Sequence, residues 1–202
     1  MYLEYGERER EYLRRRDPAL GRWIDRLGEV RREMMPDLFE ALCHSIAGQQ
    51  ISSKAHAAVW EKLKTRLGEV TPETVAAAPE QALRGAGLSG RKAGYLKTAA
   101  DRVLSGELDL GKLREKSDRE VAEQLCLLPG VGQWTAEMLL IFSLGRPDVL
   151  SFGDFGIRKG LSMVHPRTEI NRENFEKYRK RYSPYGSTAS LYLWAVAGSG
   201  EK

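Results

Sequence analysis

Apolar and polar positions recur at helical spacing along nearly the whole chain. In "PDLFEALCHSIAG" (36–48) the apolar positions 38, 39, 42, 43 and 46 form an i, i+3, i+4 stripe, which predicts an amphipathic helix. The polar positions between such stripes carry start and stop signals. Asp17-Pro18 reads as an N-cap followed by proline at the first helical position, and Gly28 closes that helix. Ser52 or Ser53 opens a helix that runs to about Leu67 and stops at Gly68. Thr71-Pro72 and Pro79 open two short helices, and Ser89 caps "GRKAGYLKTAADRVL". Ser117 and Glu120 make a capping-box pattern ahead of "VAEQLCLL". A strongly apolar helix fits 133–144, ended by Gly145, and another spans about 154–164. Asn171 caps "RENFEKYRKRY", and a last helix covers roughly 186–197. No stretch alternates with period two in β-branched residues. The pattern predicts an all-α fold of about a dozen helices joined by short loops, without an internal repeat or a flexible linker.

Composition narrows this picture modestly. A chain of 202 residues holds one large domain or two small ones. With 42% hydrophobic and 30% charged residues it can build a core that needs no staple. No apolar run reaches the roughly 20 residues needed to span a bilayer. "MYLEYGERER" has no apolar h-region, so a cytoplasmic protein is expected. Thirty-two basic against 28 acidic residues leave a net charge of +4, which permits a polyanion partner without requiring one. The runs "RERE" and "RRR" read as a solvated helix face. Cys43 and Cys126 lie in apolar helical patterns and read as buried, reduced thiols. Two cysteines cannot hold an iron–sulfur cluster or a structural zinc, and His44, His56 and His165 are scattered, so no metal centre is expected from side chains. No long exposed apolar stripe demands a dimer, so a monomer is expected.

One stretch resists a bland reading. "LLPGVGQWTA" (127–136) joins two helices through Pro129, Gly130 and Gly132. Glycines let the backbone take positive φ and leave its N–H groups uncovered at the start of the next helix. Uncovered amides and the helix dipole make an anion site that can hold a phosphate without reading a base. A plain corner between two closely packed helices explains the segment equally well. Asp154 opens a helix and reads first as an N-cap. Trp134 and Tyr185 read first as core aromatics. Arg158, Lys159, Arg91 and Lys92 are candidate phosphate contacts or solvated surface.

The wider pattern resembles a known family. "LPGVGQWTA", with Asp154 lying 18 residues after Ala136, resembles the helix-hairpin-helix, Gly/Pro-rich loop and catalytic Asp of the helix-hairpin-helix DNA glycosylases. "FEALCHSIAGQQISSKA" (39–55), "GLSGRKAGYLKTAA" and "YSPYGSTASLYLW" resemble the 3-methyladenine DNA glycosylase II (AlkA-type) branch. The likeness runs from about residue 17 to 197, with four motifs in the family's order. It implies two helical subdomains with a DNA-binding cleft between them. Residues 36–148 would form the central one, with the hairpin motif at about 117–144, and 1–35 plus 149–202 the other. The chain is short for the extra N-terminal β domain of the larger AlkA proteins, so a compact form is expected.

The resemblance also assigns roles. Asp154 would be the catalytic carboxylate, with Asp148 as a nearby decoy. Backbone amides around Gly130, Gly132 and Thr135 would hold a DNA phosphate. The carbonyls of Cys126, Leu128 and Val131 would hold a monovalent Na+ or K+ ion; no cofactor would be needed for catalysis. Gln49 or Gln50, with Ile51, would fill the stack from the minor groove. Trp134 and Tyr185 would wall the base pocket, where aromatic faces attract cationic alkylated bases. The family often has Tyr one turn after the Trp; Met138 stands there, which leaves the pocket more open. Bifunctional relatives carry a nucleophilic Lys at the position of Trp134, so hydrolysis without strand cleavage is expected. The implied partner is double-stranded DNA with alkylated purines, 3-methyladenine first and 7-methylguanine second. A glycosylase for another purine lesion, or a non-catalytic damaged-DNA-binding protein, remains the alternative.

Overall fold

The computed structural model describes residues 1–200. Thirteen helices form among them, and no strand is present beyond one isolated bridge between Tyr2 and Glu33. The described residues group into two compact units, one of residues 35–139 and one of 1–34 with 140–200.

The second of these units joins both termini. It holds α1 (Glu7–Arg16), α2 (Pro18–Leu27), α11 (Phe155–Val164), α12 (Arg172–Tyr182) and α13 (Gly186–Ser199). Its core gathers Leu13, Leu20, Ile157, Leu161, Phe175 and Tyr192, all fully buried. Of the arginine-rich α1 only Leu13 is buried; Glu7, Arg8, Glu11, Arg15 and Arg16 form a solvated face, whereas Arg10 and Arg14 are half-buried. The close pair is α11 and α13. A Cβ on Gly160 would sit 2.2 Å from the Leu193 carbonyl oxygen, so only glycine lets these backbones approach. Asp17 caps α2, and its carboxylate is almost fully buried.

The central unit holds α3 (Leu38–Gly48), α4 (Ser53–Leu67), α5 (Pro72–Ala77), α6 (Glu80–Gly85), α7 (Gly90–Leu104), α8 (Leu110–Leu113) and α9 (Asp118–Leu125). It also contains the start of α10 (Gln133–Phe142). Capping does much of the local work. Asp37, Ser52, Thr71, Ser89 and Ser117 each accept an amide N–H two or three residues on, satisfying donors that a helix start leaves orphaned. Helix α7 lies at the centre, packed on α3, α5 and α6 through Ala93, Leu96, Ala99 and Ala100.

Two details differ from the sequence reading. The division between units falls inside α10, at Leu139/Leu140, rather than near residue 148. The reason is packing: Phe142, at the end of α10, stacks on Trp194 of α13 at 5.5 Å. Cys126, read as buried, is exposed, whereas Cys43 is buried. Cys126 has left the Val121–Ala122–Leu125 stripe of α9 and forms its C-cap.

Candidate functional site

The hairpin between α9 and α10 uses its two glycines differently. Gly130 has a left-handed backbone, φ 83°, and the Tyr95 ring lies 2.3 Å from where its Cβ would be. Conformation and space both demand glycine there. Gly132 does not take a positive φ, contrary to the sequence reading, and a Cβ on it would meet nothing within 4 Å. Its carbonyl accepts from Ala136 N at 3.0 Å, so it stands at the start of α10. The open space beside Gly132 lies next to the first turn of α10. Thr135 itself is buried. Helix-start amides and the dipole together form an anion-binding geometry.

The carbonyls of Cys126, Leu128 and Val131 are neutral oxygen donors, the class that takes alkali cations. Leu128 O also accepts from Val131 N at 3.1 Å, which uses one of its two lone pairs. The donor chemistry fits a monovalent ion. Among the described residues no group of three or more His, Cys, Asp or Glu could hold a metal.

The "GQQIS" turn joins α3 to α4. Gln49 ends α3, and its Nε2 donates to Gly130 O at 2.7 Å. Its side chain is therefore committed to the hairpin of its own unit. Gln50 is exposed with φ 57°, and Ile51 is 40% exposed. These two, rather than Gln49, stand outward. A cavity of about 460 Å³ runs beside them, lined also by Ser89, Arg91, Tyr95 and Gly130. Lys92 turns inward to carbonyls of α3, so of the two basic candidates on α7 only Arg91 is exposed. Trp134, in the first turn of α10, is 43% exposed, which is unusual for so large an apolar side chain. Met138, one turn on, is half-buried.

In the other unit, Asp154 is buried and caps α11, with Oδ1 accepting from Ile157 N at 2.8 Å. The same oxygen accepts from Trp194 Nε1 at 2.8 Å. The indole is clamped in turn by its stack on Phe142. Gly156 makes room for it, since a Cβ there would lie 2.8 Å from Trp194 Cδ1. Two N–H donors on one oxygen fix the direction of the carboxylate at the helix start. Trp194 is the site residue that sequence reasoning missed. Nothing local marks it, because its partner lies 40 residues away. Exposed Phe155, next to Asp154, was missed as well. Asp148 serves the fold, accepting from Ser183 Oγ at 2.5 Å and Gly186 N at 3.0 Å and so anchoring the start of α13. Tyr185 is half-buried and meets Tyr12 edge-on at 5.0 Å. Arg158 lies over the Phe152 ring at 5.4 Å, within its own unit's packing.

An all-α chain that carries a glycine hairpin at a helix start, and later a buried carboxylate capping a helix, has the parts of a helix-hairpin-helix DNA repair protein. Residues 43–184 match the model described as "HhH-GPD superfamily base excision DNA repair protein", and the chain belongs to that superfamily. It is 35% identical over 164 residues to DNA-3-methyladenine glycosylase 1 of Schizosaccharomyces pombe, covering 79% of this chain and 72% of that protein. The solved DNA-3-methyladenine glycosidase of Bacillus halodurans matches with a TM-score of 0.87 at 36% identity, over 99% of this chain and 94% of that one. The S. pombe 3-methyladenine DNA glycosylase in complex with abasic DNA matches with a TM-score of 0.82 at 31% identity, over 93% and 95%.

Proposed function

We propose that the protein is a monofunctional DNA glycosylase of base excision repair that removes alkylated purines, 3-methyladenine first and 7-methylguanine second. The observation that carries this reading is Asp154, a buried carboxylate fixed by Ile157 N and Trp194 Nε1 at the start of α11. The similarity to a DNA-3-methyladenine glycosylase and a DNA-3-methyladenine glycosidase supports the substrate class.

The target bond is hidden in the duplex, so the nucleotide must leave the stack, at a cost of a few kcal/mol. In this reading the first amides of α10 hold a backbone phosphate, and Gln50 with Ile51 fills the gap. A monovalent cation on the carbonyls of Cys126, Leu128 and Val131 would add positive charge beside that phosphate. Trp134 and Tyr185 offer aromatic faces to a cationic base. The glycosidic bond breaks with its electron pair leaving on the base. The alkylated purine departs neutral, because it carried the positive charge in the substrate. Positive charge then develops on the sugar, where the Asp154 carboxylate stabilises it. Water adds at C1′ and gives up a proton, leaving an abasic site. Trp134 stands where bifunctional relatives keep their amine, so no Schiff base forms and the strand stays intact. In this reading the protein acts as a monomer on double-stranded DNA, within the nucleoid of the cytoplasm.

Base release from duplexes carrying 3-methyladenine, 8-oxoguanine or hypoxanthine tests the reading. Release of the methylated base by wild type, and its loss in Asp154→Asn, is expected. Binding without release of any methylated base overturns the proposal.

A further inference from the structure

The turn between α3 and α4 and the hairpin between α9 and α10 are tied together through α7, all within the central unit. Lys92, in the first turn of α7, donates from Nζ to Ala47 O at 2.8 Å and to Gln49 O at 2.6 Å. Ala47 O is one of the last carbonyls of α3, which lack an intrahelical donor and carry the negative end of the helix dipole. Burial lowers the Lys92 pKa, as befits an ammonium turned inward. Gln49 passes the constraint on by donating from Nε2 to Gly130 O at 2.7 Å. Three residues after Lys92, Tyr95 packs its ring against Gly130 at a distance no Cβ could tolerate. Just beyond Gln49 stands Gln50, the one non-glycine residue with positive φ among the described residues. Such a conformation is unfavourable for an L side chain and persists only where its surroundings hold it.

We propose that Lys92 and Gln49 are positioning residues that brace the 49–51 turn against the hairpin. The brace presets the spacing between the stack-filling side chain of Gln50 and the phosphate-anchoring amides. Lys92 makes no phosphate contact of its own. The inference rests on the reading of turn and hairpin given under Proposed function. Its physical content is pre-organisation: a turn held left-handed before DNA arrives loses less freedom on binding and inserts in one register. Misplacement by an ångström or so would cost rate more than affinity, because affinity comes mostly from phosphates.

Lys92→Met keeps the stem and deletes the ammonium; Gln49→Leu deletes the bridge without changing charge. Both should bind undamaged duplex with the wild-type salt slope, whereas loss of a phosphate contact lowers that slope by about one. Single-turnover release of methylated base should fall roughly 10- to 100-fold in each. Because the two pins act in series, the double variant should fall little further than the worse single variant. Lys92→Arg, which can still donate to two carbonyls, should recover most of the rate. Amide hydrogen exchange at residues 50–53 of the free protein should quicken in both single variants but not in Arg91→Met. A salt slope lowered by about one in Lys92→Met makes Lys92 a phosphate ligand and overturns the proposal. So does base release within about twofold of wild type in both single variants. If wild type releases no methylated base, the functional reading fails on that result, and the exchange at 50–53 still decides the brace. Should Lys92→Met fail to fold, Gln49→Leu carries the same tests.

Discussion

Two helices of the unit that joins both termini start at a buried aspartate, and the surroundings of the two carboxylates differ. Asp17 caps α2 through Ala19 N and Leu20 N. Its Oδ2 accepts from Tyr182 OH at 2.8 Å, His165 Nε2 at 2.9 Å and Arg181 Nη1 at 3.3 Å. Burial pushes its pKa up, but the His165 and Tyr182 donors outweigh that and hold it well below the usual carboxylate range. Asp17 thus ties α2 to α12 and to His165, the C-cap of α11. Asp154 stands at the other end of α11, where two neutral N–H groups hold its Oδ1. One carboxylate is netted by charged and phenolic side chains from two further elements and serves the fold. The other is aimed by the Trp194 indole and lies next to exposed Phe155. Burial and capping are common to both, so neither separates Asp17 from the carboxylate proposed to be catalytic; only Asp17 is known to be held by Tyr182, His165 and Arg181 together.

The largest expected effect breaks the pair apart by substitution. Asp154→Asn should cut base release about 100-fold or more while leaving urea unfolding nearly unchanged. Asp17→Asn should do the reverse, costing about 3 kcal/mol of stability with base release per folded molecule within a small factor of wild type. An Asp17→Asn protein that unfolds like wild type but has lost base release ends the distinction.

Next come the two hairpin glycines. Gly130→Ala should cost about 2 kcal/mol or more, from a left-handed alanine and its clash with Tyr95. Gly132→Ala should leave stability intact, since its Cβ meets nothing, yet weaken binding to damaged and undamaged DNA alike. Full affinity in Gly132→Ala, by fluorescence anisotropy, removes the phosphate anchor from the hairpin.

A smaller effect sharpens the role of the indole. Trp194→Phe keeps an aromatic ring on Phe142 but loses the N–H. It should lower kcat about 10-fold and leave KM in place. A change in KM alone shows that the indole shapes binding instead of aiming Asp154.

The pH response differs between the two units. Burial, with His56 and Lys64 nearby, lowers His44 to about 4. The unfolded chain binds a proton near pH 6.5, so its uptake below that point favours unfolding. Stability of the central unit should therefore fall as pH drops from about 6.5 towards 4. The Asp17 contribution is present above an unfolded pKa of about 3.9 and is lost as pH falls below it. His56, whose pKa burial also lowers, adds to the same window, so urea unfolding at stepped pH, with His44→Phe shrinking the loss in the upper window alone, checks the assignment.

Much of the fold was legible because it is local. Asp17, Thr71, Ser89, Ser117, Asp154 and Asn171 cap helices through amides two or three residues away, within reach of a short window of sequence. The 36–48 stripe announced a helix and its buried face. Gly130 announced a special backbone, and the four ordered motifs announced the family. Cys126 was misread because an apolar stripe does not say at which residue a helix lets go of its core. The choice between Gln49 and Gln50 was open in the sequence, where the two are chemically identical neighbours.

The sequence by itself determined most helices and their N-caps, the glycine-rich hairpin, and the family. Tertiary structure alone decided that Gln49 and Lys92 turn inward, that Gly132 is open where Gly130 is crowded, and that an indole steadies Asp154. The physical reason is range. A cap or a stripe is written within one or two helical turns. The hydrogen-bond partners that tell Asp17 from Asp154, and Gln49 from Gln50, arrive from residues 40 to 165 positions away, where no local period can encode them.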